Sequence, residues 1–178
     1  MSGDVTGKLQ AFIDHPLVFC TIHARITAGK IVIIGISLKR PKSGTRRYFS
    51  DGRLDAVVQV FRSILNGTGK SANSCMLDLS WCTPFQEHVL TAARKIPKGA
   101  TVTYAELAAR AGYPNAVRAA ASVMRYNRFP LIIPCHRVIR SDGTTGGFMG
   151  KKRGWAIELK RSLLESEKKP RTAAHCCR

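Results

Sequence analysis

The sequence has no apolar run approaching the roughly 18 residues that a membrane-spanning helix needs; the longest, Ile31 to Ile36, includes Gly35. Its start, Met1-Ser2-Gly3-Asp4, has no charged segment followed by an apolar core, so no secretory signal is read there. No internal repeat stands out. None of the six cysteines (Cys20, Cys75, Cys82, Cys135, Cys176 and Cys177) forms a C-x-x-C pair. Without an export signal the thiols are expected to be reduced, which argues against a disulfide framework. Acidic residues are scarce: 11 Asp and Glu stand against 29 Lys and Arg. A hydrophobic content of 44% excludes disorder along the whole chain. At about 100–200 residues per domain, 178 residues allow one domain or two small ones. These limits predict a soluble intracellular protein.

The positive charge is unevenly placed. Residues 1–90 hold 11 Lys and Arg against 6 Asp and Glu, whereas residues 91–178 hold 18 against 5, a net of +13. A polyanion partner for the second half is the first expectation, with nucleic acid as its most common form. Charge alone leaves a merely soluble basic surface, or a ribosome-associated one, equally open.

The first half reads as a small α/β unit. Val18 to Ile26 and Ile31 to Leu38 are rich in β-branched and aromatic residues and flank Ala28-Gly29-Lys30, which predicts two strands joined by a short turn. Pro41 to Gly44 breaks the pattern. Leu54, Val57, Val58, Phe61 and Leu65 then recur at helical spacing, and Gly67 to Ser74 reads as a loop.

The second half carries sharper signals. Thr83-Pro84-Phe85-Gln86 has the form of a capping box with proline at the first helical position, and Phe85, Val89, Ala92, Ala93 and Ile96 make one apolar face. Thr103-Tyr104-Ala105-Glu106 is a second capping box, opening a short helix that stops at Gly112. Tyr113-Pro114 is expected to open a third helix running to about Asn127, with Val117, Ala120, Ala121 and Met124 inward and Arg118 and Arg125 outward among Ala116, Ala119 and Ser122. Two short helices about a turn suggest a helix-turn-helix whose second helix enters a DNA groove. An ordinary α-hairpin with surface arginines fits equally well.

Ile132-Ile133-Pro134-Cys135-His136-Arg137-Val138-Ile139 places a thiol, an imidazole and a guanidinium inside an apolar segment. A free thiol with a pKa near 8.5 is only a few per cent thiolate at neutral pH, and a nearby imidazole can take its proton. Sequence neighbours need not face each other, so the pair alone fits a buried inert cysteine as readily as a nucleophile.

Taken together, Thr83-Pro84-Phe85-Gln86, Ile96-Pro97-Lys98-Gly99, Thr103-Tyr104-Ala105-Glu106-Leu107-Ala108, Asn115-Ala116-Val117-Arg118-Ala119 and Ile133-Pro134-Cys135-His136-Arg137-Val138 resemble the O6-alkylguanine-DNA alkyltransferase family in order and spacing, from about Leu77 to Glu167. The first half resembles the family's variable domain weakly, through His15-Pro16-Leu17 and the strands after it. The resemblance implies an α/β N-terminal domain (residues 1–82, a small sheet plus a helix), a mainly α C-terminal domain with a helix-turn-helix (83–168), and a basic, disordered tail (169–178). It implies direct reversal of alkylation damage in double-stranded DNA by a monomer, without cofactor. Cys135 takes the alkyl group from O6 of guanine, or from O4-alkylthymine, and keeps it as a thioether, so each molecule acts once. Location follows from the substrate: the nucleus, if the source is eukaryotic.

By position, the resemblance makes His136 the base, acting through a water, with Glu167 completing a hydrogen-bonded relay. Tyr104 crowds the backbone phosphate and can bond N3 of the leaving guanine. Arg118 fills the gap left by the flipped nucleotide, beside Ala119 and Arg125, and Asn127 ties the recognition helix to the active-site loop. The carbonyls of Cys135 and Val138 accept from the guanine amino group, and Pro130 and Phe148 wall the alkyl pocket.

After Gly146-Gly147-Phe148 the chain departs from the family: Met149-Gly150-Lys151-Lys152-Arg153-Gly154 intervenes before Trp155, an apparent insertion of about five residues. Met149 is the candidate backbone donor to O6, and Lys151, Lys152 and Arg153 are expected to contact phosphates. Some relatives hold a structural zinc in the first domain. Here Cys20 and His23 fall on opposite faces of a predicted strand and no four-ligand set is visible, so a core cysteine and a surface histidine are expected and no metal is assigned. His175-Cys176-Cys177 reads as part of a charged tail. Two other classes stay open: a damage sensor or regulator, which would bind without change of mass, and a cysteine hydrolase, which would turn over.

Overall fold

Alternating burial along residues 8–27 builds the first layer of the computed structural model, which describes residues 8–41, 49–50, 52–68 and 74–168. The tail at 169–178, with His175, Cys176 and Cys177, lies outside the described residues. Strand β1 (Lys8–His15) pairs antiparallel with β2 (Val18–Thr27), which pairs antiparallel with β3 (Lys30–Lys39) across a turn at Ala28-Gly29. Buried partners line up across the strands as Leu9–Ala24–Ile33, Ala11–Ile22–Ile36 and Ile13–Cys20–Leu38. Ile33 and Ile36 share one face despite odd spacing because the register shifts by one residue opposite His23 and Ala24, a β-bulge. The strands expected at 18–26 and 31–38 are present. Strand β1 has no clear sequence signal, because Leu9, Ala11 and Ile13 alternate with Gln10, Phe12 and Asp14 too weakly to announce a strand.

Short strands β4 (Phe49–Ser50) and β5 (Met76–Leu77) complete a sheet of order β4-β1-β2-β3-β5, parallel only between β3 and β5. Helix α1 (Asp55–Leu65) packs on β1 through its buried face of Val57, Val58, Phe61, Ile64 and Leu65.

Both capping boxes form. Helix α2 (Pro84–Arg94) starts with Gln86 N–H donating to Thr83 Oγ1 (3.3 Å) and Thr83 N–H donating to Gln86 Oε1 (2.9 Å). Helix α3 (Tyr104–Arg110) repeats the device with Thr103 and Glu106. It ends in a Schellman turn, where Tyr113 N–H donates to Ala108 O and Gly112 N–H to Ala109 O, with Gly112 at φ +88°. Helix α4 (Val117–Arg125) starts later than Tyr113-Pro114 suggested, because residues 113–116 close a turn of their own through Ala116 N–H to Tyr113 O. Ala120 and Met124 face inward on α4, while Arg118, Ala119, Ser122 and Arg125 are exposed.

A parallel bridge between β6 (Val102–Thr103) and β7 (Val138–Ile139) sets the start of α3 beside the Cys135 segment. Helix α5 (Trp155–Lys168) closes the fold, and its Trp155 Nε1–H donates to Leu17 O at 3.1 Å. Residues of the sheet and of the helices belong to one buried cluster, so the site rests on both halves of the chain. Among the described residues no helix is long and apolar enough to cross a membrane.

Candidate active site

The segment from Asn127 to Arg137 reverses tightly before presenting its thiol. Asn127 Oδ1 accepts from Phe129 N–H (2.9 Å) while its Nδ2 donates to Ile133 O (3.0 Å), so one amide clamps both ends of the reversal. Ile133 N–H donates to Phe129 O, and between them Leu131 is held at φ +76°, a left-handed conformation that a leucine adopts only under constraint. Two further contacts tie the reversal to the first half of the chain. Ile36 N–H donates to Arg128 O at 2.8 Å, just past the β3 bulge, and the Arg128 guanidinium lies 4.2 Å from the centroid of Trp81. Nothing in the sequence marked either contact.

Cys135 opens a 3-10 turn (Cys135–Arg137), and both Cys135 and His136 are buried. Burial pushes the Cys135 thiol above its ordinary range, and the Asn127 amide, the Lys160 charge and nearby backbone N–H groups offset this only in part. The resting group is therefore a thiol, which needs a base to become a nucleophile. Burial likewise lowers the affinity of His136 for a proton, with the Glu167 bond and charge opposing.

His136 Nε2–H donates to Glu167 Oε1 at 3.0 Å. That bond fixes the tautomer and leaves the lone pair on Nδ1, which is buried and has no protein hydrogen-bond partner. Glu167 is held by more than the imidazole. Arg137 Nε and Nη2 donate to it at 2.7–3.2 Å, Gly99 N–H donates at 3.2 Å, and Arg137 Nη1 reaches Ile96 O. Burial alone would raise the Glu167 pKa, but the hydrogen bonds from His136 and Arg137 and the nearby positive charge prevail and hold it at about 2.

Lys160, which sequence reasoning missed, is fully buried on α5. Its Nζ donates to Val138 O at 2.6 Å and to Gly147 O at 3.3 Å. Burial brings it down to about 8, against the opposing influence of Cys135. The available signal was a cation on the same helical face as Ala156, Leu163 and Glu167.

A cavity of about 350 Å³ opens at Cys135. Tyr104, Phe148, Met149, Lys151, Lys152 and Arg125 line it with Cys135, as do Ala121, Met124, Gly147 and Gly150. Pro130, Val138 and Asn127 are not among the lining residues: Pro130 lies in the reversal, Val138 in β7, and Asn127 acts as the clamp. Arg153 is exposed away from the lining, and Arg118 and Ala119 lie on the outer face of α4. Burial raises the Tyr104 phenol, the Cys135 influence adds to this and Arg140 opposes it, so the phenol keeps its proton and can donate a hydrogen bond.

Residues 148–151 form a closed turn. Phe148 and Lys151 exchange both backbone hydrogen bonds at 2.9 Å around Met149 (φ +51°) and Gly150 (φ +74°), a two-residue turn of the kind that closes β-hairpins. Cys20 is buried in β2 with its thiol pushed up to about 12 by burial, while His23, on the opposite face, pairs with Gln10. Among the described residues no three His, Cys, Asp or Glu side chains are grouped to hold a metal ion.

Residues 84–169 match the family model described as the DNA-binding domain of 6-O-methylguanine DNA methyltransferase. A methylated-DNA–protein-cysteine methyltransferase of Methanothermobacter thermautotrophicus is 41% identical over 128 residues, covering 70% of this chain and 69% of the relative. The fold resembles that of Mycobacterium tuberculosis OGT in its complex with DNA, with a TM-score of 0.68, 32% identity, and 88% of this chain and 91% of that one covered. An O6-methylguanine-DNA methyltransferase from Pyrococcus kodakaraensis, 22% identical with a TM-score of 0.61, shares the fold over 88% of this chain and 96% of its own.

Proposed function

The chain belongs to the methylated-DNA–protein-cysteine methyltransferase family, and we propose that it reverses alkylation damage in double-stranded DNA by a single transfer to Cys135. The observation that carries this reading is the Cys135 cavity backed by His136, whose Nε2 is committed to Glu167 while Nδ1 keeps a free lone pair. His136 Nδ1 takes the thiol proton through one water. Sγ then bonds to the alkyl carbon as the carbon–O6 bond breaks, and the electron pair stays with the guanine. Tyr104 donates a hydrogen bond to N3 of the leaving base, and a proton equivalent to the one taken from the thiol returns through water to neutralise the guanine. The thioether has no route back to thiol, so each molecule acts once, on O6-alkylguanine and also on O4-alkylthymine, and no cofactor takes part.

Helices α3 and α4 act as a helix-turn-helix laid in the minor groove, where small side chains such as Ala119 allow close approach. A base inside a duplex cannot reach a buried thiol, so the nucleotide is flipped at a cost of about a few kcal/mol, less for a poorly pairing lesion. Arg118 occupies the gap, and Met149 N–H contacts O6. Pro130 and Val138 support the pocket from behind, with Val138 O held by Lys160, the Cys135 carbonyl accepts from the guanine amino group, and Asn127 holds the loop. Arg125, Lys151, Lys152 and Arg153 pair with phosphates, making affinity steeply salt-dependent. Those phosphates disfavour a thiolate, which is why a base beside Cys135 is required. In this reading residues 1–82 and 83–168 are the two domains, the protein works as a monomer, and it is found with DNA, in the nucleus of a eukaryote.

Intact mass after mixing with a duplex holding one O6-methylguanine tests the reaction. A gain of one methylene, about 14 Da, mapped to Cys135 and absent in Cys135→Ala, is the expected result. Binding with no mass gain would leave a damage sensor, and repeated turnover of an ester would point to a hydrolase. Neutralising Lys151, Lys152 and Arg153 together should weaken DNA binding and flatten its salt slope; an unchanged slope would mark the run as solvated only.

A further inference from the structure

The carboxylate that fixes the His136 tautomer stands one residue from the end of α5, in a last turn whose carbonyls lack intrahelical partners. Such turns fray, so Glu167 needs a grip from outside its own helix. Two elements far away in the chain supply it. Gly99 N–H donates to Glu167 Oε2, and a Cβ on Gly99 would sit 3.4 Å from Glu167 O. Gly67 ends α1 in a Schellman motif at φ +65°, where its own N–H donates to Ile64 O and Thr68 N–H donates to Ser63 O. A Cβ on Gly67 would sit 2.9 Å from Ser166 O, nearer than a Cβ approaches a backbone oxygen. Lys98 joins the two grips: its Nζ donates to Gly67 O while its neighbour Gly99 holds the carboxylate. The α1 cap is itself tied to the sheet, since His15 Nε2–H donates to Asn66 Oδ1 at 3.1 Å while His15 Nδ1 accepts from Leu17 N–H.

We propose that Gly67 is a positioning residue for alkyl transfer: the cap of α1, strapped by Lys98, abuts Ser166 and so sets where Glu167 meets His136. The inference rests on the repair reading above, in which Glu167 orients the base. A left-handed backbone alone would admit asparagine at position 67. The close approach to Ser166 admits no side chain at all, because the atom met is a backbone oxygen that cannot swing aside. A Cβ there must push back either the cap or the last turn of α5. Moving Ser166 moves its neighbour Glu167, and a misplacement of about 1 Å can cost on the order of 100-fold in rate even when it begins far from the chemistry. The first half of the chain thereby reaches the relay, without touching Cys135 or DNA, through one glycine.

Single-turnover transfer from a duplex carrying O6-methylguanine, at saturating duplex, tests it in a double-mutant cycle with Glu167→Gln. Each molecule accepts one group, so the end-point counts folded protein and the rate reports only the molecules that work. Gly67→Asn keeps a residue tolerant of the left-handed cap but adds the Cβ. It should slow transfer about tenfold in the parent protein and less than about twofold when Glu167 is already Gln, with duplex Kd unchanged in both. Lys98→Met, which loosens the strap without adding an atom beside Ser166, should follow the same pattern at about threefold, and Lys98→Arg should restore the rate. If Gly67→Asn leaves no folded protein, the Lys98→Met cycle decides. A loss of equal size in the Glu167→Gln background, or no loss in the parent, would make the contact a structural cap only and overturn the inference. Failure of the parent protein to accept a methyl from O6-methylguanine would instead overturn the repair reading, and this inference with it.

Discussion

Glu167 Oε1 accepts a 3.0 Å hydrogen bond from His136 Nε2, joining the penultimate residue of the described chain to the neighbour of the reactive thiol. The contact decides which imidazole nitrogen can act as a base. Glu167→Gln should slow transfer by about 100-fold, the scale of general-base assistance, because the amide can also accept from Nε2–H but no longer stabilises the imidazolium. Quench-flow transfer at saturating DNA checks this, and a rate within twofold of the parent would remove Glu167 from the relay.

The same carboxylate makes folding acid-sensitive. Its folded pKa of about 2 lies below its ordinary 4.5, so its stabilising contribution is complete above about 4.5 and is lost as pH falls toward 2. Urea midpoints should drop over that window in the parent protein and drop less in Glu167→Gln.

Lys160 is expected to act through its charge. With its pKa brought down to about 8, Nζ loses its proton as pH rises through 8, while its hydrogen bonds to Val138 O and Gly147 O survive in the neutral amine. Lys160→Met should transfer about tenfold more slowly at neutral pH. The parent's advantage should shrink above pH about 8. An advantage constant from pH 6 to 10 would make the residue a structural strut.

Asn127→Ala leaves Phe129 N–H without its partner inside a mostly buried reversal, while Ile133 O keeps its bond from Cys135 N–H. A loss of about 1–3 kcal/mol in stability follows for such an unsatisfied group, together with slower transfer as the Cys135 turn loosens. Chemical denaturation and transfer on one preparation check both.

Arg118 is exposed on α4, away from the cavity lining, so its effect should depend on duplex structure. Arg118→Ala should slow transfer from a duplex at least tenfold more than transfer from a short single strand, where no partner base must be replaced. Equal losses on both substrates would reduce Arg118 to a phosphate contact.

The parts of this protein that are readable from its sequence are those whose physics is local. Thr83 with Gln86 and Thr103 with Glu106 satisfy helix-end N–H groups three residues away, so their boxes appear as written and α2 and α3 begin where expected. The face of α1 follows from a 3.6-residue period. The family and its cysteine were legible because several spaced segments agree, and Cys135-His136 alone fits two readings.

Tertiary structure decided what depends on groups far apart in the chain. Strand β1 is a strand because β2 supplies its partners and buries Leu9, Ala11 and Ile13. Helix α4 starts at Val117 because residues 113–116, after the Schellman turn of α3, close a turn of their own. Lys160 looks like one more surface lysine until α5 turns it beneath Val138, and Met149-Gly150 looks like loose loop until Phe148 and Lys151 close it. Short-range hydrogen bonds and periodic burial are written into neighbouring residues. The charge environment of Cys135 is a sum over Asn127, Lys160 and the backbone around it, which only packing brings together.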